Sequence, residues 1–222
     1  MSEHSPISES RHSAKKPNLF LEGIHFRIAL TLFAITGVVA LLLGVVNGLT
    51  KDKIAAIAEE KAIAARTEVL PDAVSFNDLS YAEGVISSVY EARDASGGLL
   101  GFAIETGANG FGGPIQQIVG IEVGSENGSY QLRVSGVSIL DMSDETPGVG
   151  SKANTSSFLG QFVGMTLGIL TGDADAVSSA TSDLSYDAVS GATYSSEGVR
   201  AGVEAALTIA TQIIEESGGT VE

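Results

Sequence analysis

The chain contains no cysteine, and its only histidines are His4, His12 and His25. Without cysteine it can form no disulfide bond, thiolate zinc site or cysteine-bound iron–sulfur cluster. Because no histidine or cysteine follows residue 25, the downstream region also argues against haem, a typical transition-metal site and a histidine-dependent catalytic triad. If this protein performs redox chemistry, an organic cofactor must supply it.

Basic residues are scarce in the C-terminal two thirds of the chain. Residues 1–70 hold 8 basic and 7 acidic residues, a net charge of +1, whereas residues 71–222 hold 4 and 20, a net charge of −16. An acidic domain with scattered basic residues binds nucleic acid poorly, because phosphate backbones attract clustered positive charge. We therefore expect no nucleic-acid partner and read the acidic surface as a contribution to solubility.

Charge is absent from residues 28–46, which are mostly apolar. Their number approaches the roughly 20 residues that cross a bilayer as a helix, so we predict a transmembrane helix over 24–48 after a tail over 1–23. A cleaved signal peptide is the alternative, but the run exceeds the usual apolar core of about 7–15 residues and no clear Ala-x-Ala site follows it directly. A buried soluble helix should show a polar face. Basic residues flank both ends, so charge gives no orientation.

The region after the predicted transmembrane helix is predicted to form a second helix. Thr50 is placed to cap it, and Asp52 suits its first turn. Residues 51–66 are good helix formers, and Pro71 is expected to end the region. Residues 49–70 are therefore interpreted as a membrane-proximal helix or linker.

From Gly84 onward, alternating side chains predict an antiparallel meander. The strands are predicted over 85–90, 99–106, 115–123 and 130–140, with turns over 94–98 and 124–129. A short helix over 151–162, a strand over 165–170, a surface loop over 172–185 and an amphipathic helix over 197–216 complete the prediction. The fold class is α+β, with one N-terminal membrane helix and an antiparallel-sheet domain over 71–222 flanked by helices.

A hydroxyl-rich segment, Asp-Ala-Val-Ser-Gly-Ala-Thr-Tyr-Ser-Ser, occupies residues 187–196 and leads into the last helix. Gly191 permits backbone angles that other residues resist, and Ser195 or Ser196 is expected to cap the helix. The first amides of a helix have no partner within it, so they favour a phosphate or another anion. Thr193 therefore places a hydroxyl beside a predicted anion-binding position.

Two glycine-rich turns accompany this segment. Asn-Gly-Phe-Gly-Gly-Pro-Ile at 109–115 leaves backbone room for a flat ring to lie close. Glu-Thr-Pro-Gly-Val-Gly at 145–150 places Pro147 and Gly148 at the central positions of a type II turn, which exposes backbone amides and a threonine hydroxyl. Taken alone, each could be a simple connection.

Together, and in this order, the three motifs resemble those of the covalent-flavin domain family, which includes the G subunit of Rnf complexes and the C subunit of the sodium-translocating NADH:quinone oxidoreductase. The resemblance runs from the membrane segment to the last helix and implies FMN attached to Thr193 through a phosphoester bond. Val149 stands where the family usually has leucine, and Phe111 where tyrosine is common. The tryptophan found in many members is absent, which leaves the electronic surroundings of the flavin open.

The resemblance also implies which residues serve the cofactor. Asp187 would be recognised by a separate flavin transferase that delivers FMN from FAD, and neither a catalytic residue nor a metal site is expected. The N-terminus would lie in the cytoplasm and the flavin domain outside the cell's inner membrane. The implied cofactor-binding residues are Phe111, Gly113, Glu145, Thr146, Pro147, Gly148, Val149, Ser190, Gly191, Ala192, Thr193, Ser195 and Ser196.

The function that this resemblance implies is electron relay within a membrane complex whose other subunits are its partners. The modest length and short N-terminal region resemble the Rnf G subunit, in a complex that passes electrons between ferredoxin and NAD and moves Na⁺ or H⁺. The quinone-reductase C subunit and a non-redox, membrane-anchored binding or assembly domain are the alternatives. Because the span contains no charge, we do not expect this subunit to carry ions itself.

Overall fold

The computed structural model describes residues 19–126, 129–172 and 186–219. It confirms the predicted α+β class, with a long N-terminal apolar helix followed by a five-stranded antiparallel sheet and further helices. Two 3₁₀ turns, Gly150–Asn154 and Gly160–Phe162, flank helix α2. In chain order the helices and strands are α1 (Leu19–Val69), β1 (Ser75–Asp78), β2 (Ile86–Arg93), β3 (Leu99–Asn109), β4 (Pro114–Glu126), β5 (Ser129–Asp141), α2 (Ser156–Leu159), α3 (Leu167–Thr171) and α4 (Thr193–Glu216).

Helix α1 is 51 residues long. Within the part of the chain that the structure describes, it is the one helix long and apolar enough to cross a membrane. Its large apolar side chains between Ile24 and Leu49 are exposed, as a lipid-facing segment requires. The chain divides into two compact units between Ile54 and Ala55, so the last turns of α1 belong to the same unit as the sheet.

Thr50 does not start a second helix, which corrects the sequence interpretation. Its hydroxyl donates to the Val46 carbonyl oxygen at 2.9 Å, and this bond to the residue four positions earlier is typical of a helix interior. Helix α1 therefore runs without a break through the boundary expected near residue 49. It ends at Val69, just before Pro71, as predicted.

The sheet is a simple meander in the order β1-β2-β3-β4-β5, with every neighbouring pair antiparallel. Strands β2 to β5 confirm the four predicted strands to within three residues at each end. The turn between β2 and β3 is also confirmed: Gly97, at φ +83°, donates its amide to the Asp94 carbonyl oxygen at 3.0 Å. Both strands extend into the turn expected over 124–129, since β4 continues to Glu126 and β5 begins at Ser129.

Helix α4 covers one face of the sheet and forms the main core with it. Two glycines allow the close approach: a Cβ at Gly202 would collide with the Gln117 side-chain nitrogen, and one at Gly198 would lie 2.8 Å from the Asn109 carbonyl oxygen. The predicted apolar stripe is largely confirmed, and Ile213 is partly buried. The stripe residues that are buried are Val199, Val203, Ala206, Leu207, Ala210 and Ile214.

The end of α1 packs on the opposite face of the sheet. Its contact side chains form a second cluster that includes Val69 and Ile118. The Arg66 guanidinium lies 3.7 Å from the centre of the Tyr90 ring and pairs with the Glu105 carboxylate at 3.0 Å. Both faces of the sheet are therefore covered, one by α4 and the other by the end of α1.

The strand predicted over 165–170 is wrong, because this region contains helix α3. The Thr166 hydroxyl accepts a hydrogen bond from the Ile169 amide at 3.4 Å, and Gly172 ends the helix at φ +80°. Periodicity alone does not separate strand from helix in so short an apolar run. The predicted helix over 151–162 is confirmed as α2 between its two 3₁₀ turns. The predicted loop over 172–185 lies outside the described residues beyond Gly172.

Candidate functional site

A cavity of about 250 Å³ lies where three segments meet: the connection between β3 and β4, the loop after β5, and the start of α4. These segments carry the three motifs singled out in the sequence, so folding brings distant parts of the chain to one place. The lining residues are Phe111, Glu145, Thr146, Val149, Gly150, Gly191, Ala192, Thr193, Tyr194 and Ser195.

Thr193 is the first residue of α4, and its side chain is exposed. No side chain of the described residues caps this helix, and the first hydrogen bond into it runs from the Ser196 amide to the Ala192 carbonyl oxygen at 2.9 Å. The preceding amides thus have no partner within the helix. Gly191, at φ +80°, makes the turn that aims the chain into the helix. A hydroxyl and free amides are thereby presented together at the cavity.

Ser195 and Ser196 are not helix caps, contrary to the sequence interpretation. Both lie inside the first turns of α4 and are buried. The Ser195 hydroxyl donates to the Glu145 carboxylate oxygen Oε2 at 2.6 Å. The Ser196 hydroxyl donates to the Ala192 carbonyl oxygen at 3.0 Å and accepts from the Val189 amide at 2.9 Å. Instead of capping the start of α4, Ser196 holds the segment before the helix, and Ser195 joins the helix to the loop after β5.

The loop after β5 contains the predicted turn. The Val149 amide donates to the Thr146 carbonyl oxygen at 3.1 Å, and Gly148 has φ +76°, as a type II turn requires at its third position. The Ser151 hydroxyl accepts from the Gly148 amide at 2.9 Å. The turn holds the Val149 side chain at the cavity with 42% of its surface exposed.

Gly110 and Gly112, between β3 and β4, allow other parts of the chain to pack closely against them. A Cβ at Gly112 would collide with the Asp144 carbonyl oxygen, and one at Gly110 with the Glu145 carboxylate. The Gly110 amide donates to the Gly113 carbonyl oxygen at 2.8 Å and closes the turn. Gly110 and Gly112 therefore leave no open space beside them for the flat ring expected from the sequence.

Aromatic side chains flank the cavity. Phe111 and Tyr194 are 70% and 72% exposed, and their ring centroids lie 6.2 Å apart with 45° between the ring planes. With Val149 they form an apolar rim beside the Thr193 hydroxyl. The cavity is below the usual range of ligand pockets, about 300–1,000 Å³, so it suits part of a large flat ligand. An apolar rim next to free amides and a hydroxyl fits an isoalloxazine that carries a phosphate.

The segment before α4 is fastened at several points. The Tyr186 ring stacks on Phe162, with centroids 5.6 Å apart, and its hydroxyl donates to the Glu197 carboxylate at 2.8 Å. Burial, followed by this hydrogen bond, raises the Tyr186 pKa. Hydrogen bonds from Arg200 hold the Glu197 pKa below its usual value. These contacts fix the segment before α4 relative to that helix.

Asp187 lies in this fastened segment but away from the cavity lining. Its amide donates to the Gln161 side-chain oxygen at 2.7 Å, while its carboxylate is exposed. Five other predicted site residues also lie outside the lining: Gly113, Pro147, Gly148, Ser190 and Ser196.

Two lining residues, Gly150 and Tyr194, were not singled out from the sequence. Both lie within the motifs, so their position beside the expected attachment and turn residues was the available signal. The residues that the structure describes contain no group of three or more acidic or histidine side chains able to hold a metal.

The region that contains the three motifs also matches a known protein family. A family model described as FMN-binding domain matches residues 110–208. The chain is 30% identical over 178 residues to the G subunit of the ion-translocating oxidoreductase complex of Methanosarcina acetivorans, covering 78% of this chain and 87% of the relative. It is 33% identical over 178 residues to the G subunit of the complex of the same name in Stutzerimonas stutzeri, covering 76% and 72%.

A third relative is named for a more specific reaction. The chain is 27% identical over 200 residues to the G subunit of the Na⁺-translocating ferredoxin:NAD⁺ oxidoreductase complex of Acetobacterium woodii, covering 83% of this chain and 90% of the relative. These alignments extend well beyond the matched domain and include sequence on its N-terminal side.

Proposed function

Because the chain belongs to the FMN-binding G subunits of ion-translocating oxidoreductase complexes, we propose that it is a membrane-anchored electron-transfer subunit of such a complex. The observation that carries the proposal is the cavity at the start of α4. There an exposed threonine hydroxyl, unpartnered helix amides and an apolar rim converge from three separate segments. The other subunits of the complex are its partners.

The cofactor in this proposal is FMN joined through its phosphate to the Thr193 oxygen. The bound isoalloxazine supplies electron acceptance and donation, and the chain supplies position and surroundings. The free amides at the start of α4 would face the phosphate, because helix N-termini favour anions. Phe111, Val149 and Tyr194 would contact the ring and exclude water from part of it.

Attachment requires a separate flavin transferase. The Thr193 hydroxyl is a weak nucleophile, and among the described residues no basic side chain lies on the cavity wall. In the proposed maturation, the Thr193 oxygen–phosphorus bond forms as the pyrophosphate bond of FAD breaks and AMP leaves. The exposed Asp187 carboxylate is available for recognition by that enzyme.

Replacing Asp187 by alanine should therefore block maturation without unfolding the domain. Its carboxylate is exposed, and such surface substitutions change the free energy of unfolding by about 0.5 kcal/mol or less. We expect little flavin fluorescence from the denatured protein after co-production with the transferase, and an unchanged melting temperature. Asp72→Ala, at another exposed aspartate, is the control and should load fully. Full flavin loading of Asp187→Ala would show that the transferase does not need this residue.

Electron transfer itself is tested in the complex purified through this subunit. We expect ferredoxin-dependent reduction of NAD, coupled to Na⁺ or H⁺ transport, with this subunit as an obligatory relay. Activity should fall to background when Thr193 is replaced by valine. A complex that instead reduced quinone with NADH would assign the chain to the other branch of the family.

The proposed orientation places the N-terminus in the cytoplasm and residues 71–222 outside the membrane. The natural chain has no cysteine, so one engineered cysteine can report the side on which it lies. Ser96 sits in the exposed turn between β2 and β3. A Ser96→Cys variant in intact cells should react with a membrane-impermeant maleimide. Labelling only after the cells are broken would show that residues 71–222 lie in the cytoplasm.

A further inference from the structure

Glu145 is the one acidic side chain that is buried among the described residues, with 4% of its surface exposed. No hydrogen bond or ion pair joins it to a basic side chain in that part of the chain. A buried carboxylate is costly unless strong donors satisfy it. Glu145 lies where the three segments that line the cavity meet, so its contacts with them need an explanation.

We propose that Glu145 is a positioning residue that locks the three walls of the proposed FMN site together. This inference rests on the proposed function and assigns Glu145 to the walls rather than to contact with the flavin. One carboxylate oxygen, Oε1, accepts from the Gly112 amide at 3.1 Å, in the connection between β3 and β4. The other, Oε2, accepts from the Ser195 hydroxyl at 2.6 Å, in α4. Glu145 itself begins the third wall.

These contacts need an acceptor at position 145. The Gly112 amide can only donate, so the side chain must present an oxygen to it, whereas the Ser195 hydroxyl can donate or accept. Glutamine could keep both contacts by turning its amide nitrogen toward Ser195, but leucine, which is similar in size, has no polar atom and would lose both. The distance between the Ser195 and Glu145 oxygens, 2.6 Å, is in the range of a charge-assisted bond, about 2.5–2.7 Å. The start of α4 also favours a negative charge.

Two glycines make room for this carboxylate. A Cβ at Gly110 would collide with Oε1, and a Cβ at Gly150 would collide with Oε2 and lie 2.8 Å from the Ser195 hydroxyl oxygen. One of these glycines comes from each of the two loops that face α4. Gly110 and Gly150 thus leave the space that the Glu145 carboxylate occupies.

Amide hydrogen exchange of the full chain in detergent tests the lock with or without cofactor. In Glu145→Leu and in Gly150→Ala we expect the peptide containing Gly112 to exchange about tenfold faster, because losing a hydrogen bond to a charged group costs about 1.4 kcal/mol. Asp144→Asn removes the same charge at the exposed neighbouring position. Gly160→Ala adds a methyl group where no atom lies within 4 Å. Both controls should exchange as the natural chain does.

The positioning role is read from the visible circular dichroism of attached flavin. Glu145→Leu and Gly150→Ala should keep the added mass of FMN but lose about half or more of the flavin dichroism, and the two controls should keep it. Control-like exchange and dichroism in both test variants would overturn the inference. If the natural chain carries no FMN, the proposed function fails, and the exchange of the Gly112 peptide still decides whether the lock exists.

Discussion

A Thr193→Val variant produced together with a flavin transferase is expected to carry no covalent flavin. Valine replaces the hydroxyl by a methyl group of similar size, so the attachment atom is lost while the shape is kept. Thr193 is exposed, and the free energy of unfolding should change by about 0.5 kcal/mol or less. Flavin fluorescence of the denatured protein band measures the loss directly, and the melting temperature shows that the fold survives.

Two further variants make this result specific. Thr193→Ser keeps a hydroxyl at the same position and should restore at least part of the loading. Thr208→Val makes the same chemical change at another exposed threonine of α4 and should load as the natural chain does. Fluorescence retained by the denatured Thr193→Val band would place the flavin elsewhere and contradict the proposed attachment.

The second large effect is expected at Phe162, which is fully buried and contacts Tyr186 in the segment before α4. Its ring packs edge-on against Phe158 at 5.5 Å and stacks on Tyr186 at 5.6 Å between centroids. Replacing a buried phenylalanine by alanine costs about 3–5 kcal/mol, because it leaves a cavity. For a chain of this size each kcal/mol lowers the melting temperature by about 2–4 °C, so we expect Phe162→Ala to melt roughly 10 °C lower.

The same substitution should also reduce flavin loading, since Tyr186 loses the ring that holds the segment before Thr193. Val163→Ala is the matched control, because this neighbouring side chain is 47% exposed and its loss should cost about 0.5 kcal/mol. Near-ultraviolet circular dichroism of the tyrosines in the full chain follows the melting. Equal melting temperatures for the two variants would show that Phe162 does not support this part of the core.

Much of the sheet could be predicted from side-chain alternation, although bulges interrupt the pairing of β2 with β3 and of β4 with β5. Strand β1 was missed, since Ser-Phe-Asn-Asp contains poor strand formers. It exists through pairing with β2, where Ser75 lies opposite Arg93. Helix α3 was missed for a related reason: five residues are too few for a period to be read, and the Thr166 cap decides the outcome.

The candidate site could be located from its motifs, but the contacts inside it could not. Ser195 was interpreted as a cap because serine is common at that position before a helix. Its actual partner, Glu145, lies 50 residues earlier in the chain, and local sequence carries no sign of such a pairing. Likewise, Gly110 and Gly150 look like flexible turn residues until the buried carboxylate between them is seen.

The central claim is that Thr193 carries FMN, and mass spectrometry of the natural protein extracted from its membrane tests it most directly. The intact mass should exceed that of the chain by one covalently attached FMN, and fragmentation should place the increment on Thr193. An unmodified Thr193, in cells whose flavin transferase is shown to modify another protein, would contradict the account. That result would favour the alternative of a membrane-anchored binding or assembly domain.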